Sequence, residues 1–375
     1  MKSSREFLDR LGITIPIIQA PMAGVSTPAM AAAVSNAGAL GSIGVGATDV
    51  EGARNMIAQF RQLSDRGLNV NVFCHRAARP RPDVEAAWVE RLRAEFERVE
   101  AQPPAKLNEI YQSFVENEAM LSMLVEEKPS VVSFHFGLPP QRYIDALMSA
   151  GIVLLGCATS LHEAKILAAS GIHAVVAQGY EAGGHRGVFD ADARDDQMTT
   201  MALTRVLVRE LDVPIIAAGG IMDGAGISAA LRLGASAAQL GTAFIACDES
   251  QADAGFRAAL FNDAAHHTRM TRAISGRPAR CLANKFTELG ERIPSDAIPD
   301  YPIAYDAGKS LHAAAKAKGE FGFGAQWAGQ GAPMARKLSS AQLIAELVDE
   351  IGRASSVATI DLVGPPGLEP GTKGL

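Results

Sequence analysis

The stretch Ala177–Gly187, AQGYEAGGHRG, gathers into eleven residues the groups that catalysis at neutral pH needs. The imidazole of His185 has a reference pKa near 6.5 and can act as a base near neutral pH. Ahead of it, Gly183 and Gly184 let backbone approach a ligand without the obstruction of a Cβ. A glycine-rich turn in which His185 only caps the next helix fits the same residues, so the assignment depends on what else converges on it.

Other candidates stand at comparable places, directly after apolar runs. Asn71, Gln178 and Gln239 are amides on otherwise apolar strands. A buried amide is costly unless partnered, so these three either satisfy one another or meet a polar heterocycle. Gly219-Gly220 and the run Gln239-Leu240-Gly241-Thr242 offer free backbone N–H groups of the kind that cradle a phosphate, or else serve tight turns alone. Met22 follows the first strand and counts only together with the others, since such a methionine commonly fills core. Tyr301, Tyr305 and Lys309 are spaced i, i+4, i+8 and share a face if 301–309 is helical, with Pro302 in the first turn. Two of the five tyrosines beside an ammonium suit a small anion, although an amphipathic lid helix with an exposed lysine has the same pattern.

The elements that must hold these groups are short apolar strands alternating with amphipathic helices. Strands are expected within 13–22, 39–46, 69–75, 131–137, 152–159, 173–179, 214–221 and 237–247. The first helix, after residue 25, has Ser26 or Thr27 as cap, Pro28 in its first turn and Gly38 at its stop. Eight near-continuous apolar strands at this rhythm predict an α/β fold of the (β/α)8 TIM-barrel type, with ligands at the carboxyl ends of the strands. An open doubly wound sheet is the alternative, but no GxGxxG opens a helix after the first strand. The rhythm breaks twice. Residues 76–128 read as a helical insertion in the barrel domain 1–247, and 248–335 as a substrate or lid domain. Residues 336–354 then return as a barrel helix, and the Pro/Gly-rich 355–375 read as a disordered tail. WAGQGAPMAR at 327–336 is expected to line the site, with no role assigned.

Composition removes several classes of function. With 48% hydrophobic and 20% charged residues among 375, the chain has ample core. A net charge of -6 with no basic face argues against nucleic acid. No apolar run reaches the roughly 18–20 residues a bilayer requires. Cys74, Cys157, Cys247 and Cys281 lie far apart with no CxxC pair, and the histidines show no ligand spacing, so neither disulfides nor a metal is expected. The cytoplasm is the expected compartment. Oligomeric state is left open.

Taken together, APMAGVSTPAMAAAVSNAGALG, QGYEAGGHRG, AAGGIMDGAGISAALRLGA and QLGTAF resemble, in order, the motifs of class I nitronate monooxygenases, formerly called 2-nitropropane dioxygenases. The resemblance covers residues 13 to about 335. It implies a TIM barrel with noncovalent FMN contacted by Met22, Asn71, Gln178, Gly183, Gly220, Gln239, Leu240, Gly241 and Thr242. It further implies a catalytic His185 and substrate contacts at His135, Tyr111, Tyr301, Tyr305 and Lys309. The reaction implied consumes a small nitronate, such as propionate 3-nitronate, with O2 and gives a carbonyl compound and nitrite. Two rivals stand: an FMN-dependent NAD(P)H:quinone or enoyl-thioester reductase on the same barrel, and a flavin-binding barrel without turnover.

Overall fold

In a computed structural model that describes residues 4–356, eleven strands are present: β1 (Ile17–Gln19), β2 (Gly41–Gly44), β3 (Leu68–Phe73), β4 (Val131–His135), β5 (Val153–Ala158), β6 (Ala174–Gln178), β7 (Gly184–His185), β8 (Ile215–Ala218), β9 (Ala237–Leu240), β10 (Thr268–Thr271) and β11 (Ala279–Leu282). All except β7, β10 and β11 form one parallel sheet in the order β1-β9-β8-β6-β5-β4-β3-β2. An isolated parallel bridge between Ile18 and Leu40 closes the ring, with Gln19 N donating to the Leu40 carbonyl at 2.9 Å. The (β/α)8 barrel is therefore complete. Its expected strands are present, each shorter than its apolar run.

Burial explains the apolar runs. Ile18, Leu40, Leu155, Val176 and Ile216 belong to one buried cluster, joined by Val131 and Val153 at the starts of their strands and by Phe7 and Leu11 of the helix Ser4–Leu11. Polar side chains inside the barrel are mostly partnered: Ser42 N donates to Gln19 Oε1 at 2.8 Å and Asn69 Nδ2 donates to Ser42 Oγ at 3.0 Å, while Asn69 Oδ1 is left without a partner among the described residues.

Local signals fix the helix starts. Thr27 caps Pro28–Asn36 by accepting from Met30 N, and Asp49 does the same for Val50–Leu63 through Gly52 N. Gly38 stops the first helix at φ +93°, a conformation that glycine adopts at no steric cost. The helix Glu118–Glu127, expected within the insertion, packs against 50–63 and 141–149 and fills the outer-ring place after β3. The helix Pro82–Arg98 instead packs on Ile303–Ala317. Ser340–Ser356 packs between 224–232 and 28–36, completing the outer ring. The expected tail lies, apart from residues 355 and 356 at the end of that helix, outside the described residues.

Two features differ from the sequence reading. The helix expected over 301–309 begins at Ile303: Pro302 is its N-cap residue, the Tyr301-Pro302 peptide is cis, and Tyr301 precedes the helix. The basic stretch 268–282, assigned no strand within the lid domain 248–335, forms the antiparallel pair β10–β11, and β11 also pairs with β7, placing Ala279 opposite His185. That pairing ties the GGHRG loop to the segment after the barrel.

Candidate active site

The carboxyl ends of β4 and β6 position His185 through its backbone. Its carbonyl accepts from Gln178 Nε2 at 3.0 Å and lies 3.2 Å from His135 Nε2, while Gln178 Oε1 accepts from Gly187 N at 2.7 Å. Both ends of the Gln178 amide are thus used inside the protein, and this side chain is a clamp on the loop. Next to it, the buried Arg186 holds Asp195 in two-point fashion at 2.7 and 3.1 Å.

The imidazole of His185 faces a box of rings. Trp327 lies 5.1 Å away between centroids, Tyr301 5.4 Å, Phe136 5.6 Å and Tyr305 6.0 Å. Lys309 Nζ donates to Tyr111 Oη at 2.7 Å, and Trp327 Nε1 donates to Tyr305 Oη at 3.2 Å. His135, His185, Tyr111, Tyr301, Tyr305 and Lys309 therefore converge in one chamber. Burial sets their charge states. It pushes His135 down to about 4 and His185 well below its ordinary value. It pushes Tyr111 up to about 12 and both Tyr301 and Tyr305 upward, so the phenols keep their protons. Lys309 is lowered by the same burial.

Several residues of this neighbourhood were not singled out in the sequence. Ser275 Oγ is 2.8 Å from His185 Nε2. His75, 1% exposed, stands edge-on to Tyr301 at 4.9 Å and is pushed down to about 4 by burial, with the charge of Arg277 adding to the effect. Arg277 is buried with its guanidinium 4.3 Å from the Phe136 ring. No local motif announced these three. Their proximity comes from pairing between segments far apart in the chain.

A model of the nitronate monooxygenase family matches residues 5–350. The chain belongs to the nitronate monooxygenase family. It is 60% identical to a nitronate monooxygenase of Paraburkholderia phytofirmans, over 92% of this chain and 95% of that protein. It is 51% identical to one of Pseudomonas aeruginosa, over 92% and 98%. Among solved structures, a nitroalkane oxidase from Streptomyces ansochromogenes superposes with a TM-score of 0.84 at 37% identity, covering 94% of this chain and 99% of that one. FabK from Thermotoga maritima follows at 0.71 and 29%, covering 94% and 97%.

Nitronate monooxygenases are flavin-dependent in general, and the strand ends fit a flavin in their chemistry. Gly219 and Gly220 have φ of +122° and +70°, and a Cβ at Gly219 would lie 2.7 Å from Thr200 Oγ1. The N–H groups of Gly219, Gly220 and Gly241 meet no acceptor among the described residues. In the first turn of Gly224–Arg232, Asp223 and Glu350 already accept from Gly226 N and Gly224 N at 2.8 Å each. Loop amides, and not that helix terminus, are the donors left for a phosphate. Asn71 Nδ2 is held by Ser133, leaving Oδ1 as an acceptor, and the Gln239 side chain has no partner among the described residues. Met22 Sδ would lie 3.6 Å from a Cβ at Gly241, so these two converge, and Gly183 abuts the backbone of 328–329.

The depressed histidines give stability a pH dependence of definite sign. An unfolded chain takes up protons at His75 and His135 near 6.5, whereas the folded chain resists until about 4. Their contribution is full above the unfolded value and is lost as pH falls through this window. The urea midpoint should therefore drop between about pH 6.5 and 4, and His75→Phe, which removes one titrating ring, should make the drop shallower. An unchanged slope in that variant would locate the protons elsewhere.

Proposed function

We propose that this protein is an FMN-dependent nitronate monooxygenase that converts small alkyl nitronates and O2 to carbonyl compounds and nitrite, with propionate 3-nitronate as the substrate class. The observation that carries the reading is the neutral His185 set against protonated phenols and Lys309 at the mouth of a barrel whose glycine loops keep backbone donors unspent. FMN, held noncovalently by Gly183, Gly220, Gln239, Leu240, Gly241 and Thr242 with Met22 and Asn71, supplies the electron-accepting chemistry when bound, and Gln178, whose amide is spent on the loop, positions that loop and does not contact the flavin through its amide. Residues 248–335 act as the substrate-facing lid. Four buried, unpaired cysteines suit a reducing cytoplasm.

The chain's own groups have separable tasks. Tyr111, Tyr301, Tyr305 and His135 donate to or shape the anion, and Lys309 supplies a fixed positive charge that loses little to screening in this half-dry chamber. Ser275 Oγ lies 3.3 Å from the Arg277 carbonyl, to which its hydroxyl donates, and accepts from His185 Nε2–H. That arrangement leaves the lone pair on Nδ1, the atom that takes an α-proton from a neutral nitroalkane. Trp327 and Phe136 exclude water from the same volume.

Anaerobic mixing of the yellow protein with a nitronate, and separately with NADH, tests the overall reading. The visible flavin absorbance should bleach with the nitronate and persist with NADH. The reverse result would favour the reductase reading.

Lys309→Met should raise KM for a carboxylate-bearing nitronate by on the order of ten- to hundredfold, the worth of a charge-assisted contact of about 1.5–3 kcal/mol. An alkyl nitronate without a charged tail should be affected less. Equal effects on the two substrates in steady-state kinetics would remove Lys309 from the distal group.

His185→Asn separates the base from the binding role. A neutral nitroalkane must lose its α-proton, whereas a preformed nitronate has already lost it. The variant should lose about 10²- to 10⁴-fold in turnover of the neutral compound while keeping measurable nitronate oxidation and its flavin. Equal loss of both, with flavin retained, would make His185 a nitro-binding group.

A further inference from the structure

On the outer side of the aromatic box a cavity of about 410 Å³ opens toward solvent, and its wall carries Arg76, Arg79, Arg81, Arg272 and Arg277 against three aspartates. The lining thus holds two more positive charges than negative, and Asp190 outside it, 3.7 Å from Arg76, offsets one of them. Two of the aspartates are already shared out. Asp192 meets Arg76 at 2.5 Å and Arg272 at 3.3 Å, and Asp300 meets Arg81 at 3.2 Å.

Arg277 is the group left over. It is 3% exposed and, among the described residues, has no carboxylate within ion-pair distance. It gives one N–H to the Val188 carbonyl, while its Nε has no hydrogen-bond partner. A guanidinium taken out of water without a counter-charge is destabilising, and its contact with the Phe136 ring offsets only part of the loss. A planar fork of donors in a cavity with a surplus of positive charge matches an oxyanion that presents at least two oxygens. Arg79, whose side chain is 66% exposed, sits at the rim with only a 4.0 Å contact to Asp192, which is shared with Arg76 and Arg272.

We propose that this cavity is an anion-binding site separate from the substrate chamber, taking an oxyanion, either a phosphate group or a dicarboxylate, against Arg277, Arg272 and Arg79. The two sites share a wall. Tyr301 lines the cavity and also stands 5.4 Å from His185, and Phe136, which Arg277 touches, stands 5.6 Å from the same imidazole.

Calorimetric titration of the flavin-loaded full chain tests this, with sodium phosphate and sodium succinate as probes and sodium chloride at equal ionic strength as the reference. One saturable site is expected for at least one dianion. It should be weakened about tenfold in Arg79→Gln and in Arg272→Gln, as loss of one charge-assisted contact implies. It should be unchanged in Lys309→Met, with the visible flavin spectrum of every variant as the check on folding. Preference for phosphate or for succinate assigns the ligand's class. Binding no better than chloride overturns the proposal. So does affinity retained in the arginine variants, or affinity lost in Lys309→Met, which would move the anion into the chamber.

Discussion

The carbonyl oxygen of His185 is the point on which the site depends. It faces Gln178 Nε2 from β6 and His135 Nε2 from β4, so two barrel strands fix one peptide of a glycine-rich loop. Leaving such a buried acceptor unpaired would cost about 1–3 kcal/mol, which makes alternative loop conformations unfavourable. With the carbonyl committed to the barrel, the imidazole is delivered to Ser275, Tyr301, Tyr305 and Trp327, all contributed by the chain beyond the eighth barrel strand. Fold and site are joined at a single residue whose backbone belongs to one and whose ring belongs to the other.

Close backbone approach makes that junction rigid. A Cβ at Gly183 would lie 2.4 Å from Gly329 N, and one at Gly329 would lie 2.6 Å from the Glu181 carbonyl, so the two segments touch main chain to main chain. Gly329 N also donates to Thr242 Oγ1 at 2.9 Å, and Gln330 N donates to the Glu181 carbonyl at 3.0 Å. Trp327 is therefore held over the chamber by a strap bonded to the loops after β6 and β9. Its indole orients Tyr305 through Nε1 and packs against His185 from the same anchored position.

What was legible in the sequence follows from this division. Barrel strands are buried on both faces and read as apolar runs, and their helices carry caps such as Thr27 and Asp49, so the architecture could be derived locally. Residues at strand ends were legible for the same reason, because topology alone sends their side chains to one mouth. The pair β10–β11 was not legible, since TRMT and ARCL are partly basic and acquire strand character only by pairing with each other and with the two residues Gly184–His185. Tyr301 was grouped correctly with Tyr305 for an incomplete reason, because the helix begins only at Ile303. Ser275, His75 and Arg277 carried no local signal at all. The amides show the limit most clearly: Gln178 is spent on the protein, Gln239 is unspent, and Asn71 is half of each, a distinction no strand pattern contains.

Electrostatics gives the chamber its sign. His75, His135 and His185 are held neutral by burial, with Arg277 adding to the effect on all three, and the phenols of Tyr111, Tyr301 and Tyr305 are held protonated. Where these groups, Lys309 and Arg277 have side-chain hydrogen-bond partners, those are hydroxyls, carbonyls and the Trp327 indole, not carboxylates, and Tyr301 Oη and both ring nitrogens of His75 have none among the described residues. Neutral donors and the ammonium of Lys309 thus surround a volume whose lining groups make no hydrogen bond to a carboxylate, with Arg277 behind its wall. In low dielectric such an arrangement favours a negative charge far more than an exposed one would, because the donors are already oriented and need no reorganisation. A neutral molecule of the same shape gains only its contact area. Discrimination in favour of an anion is therefore a property of the folded chamber, set before any side chain touches the reacting carbon.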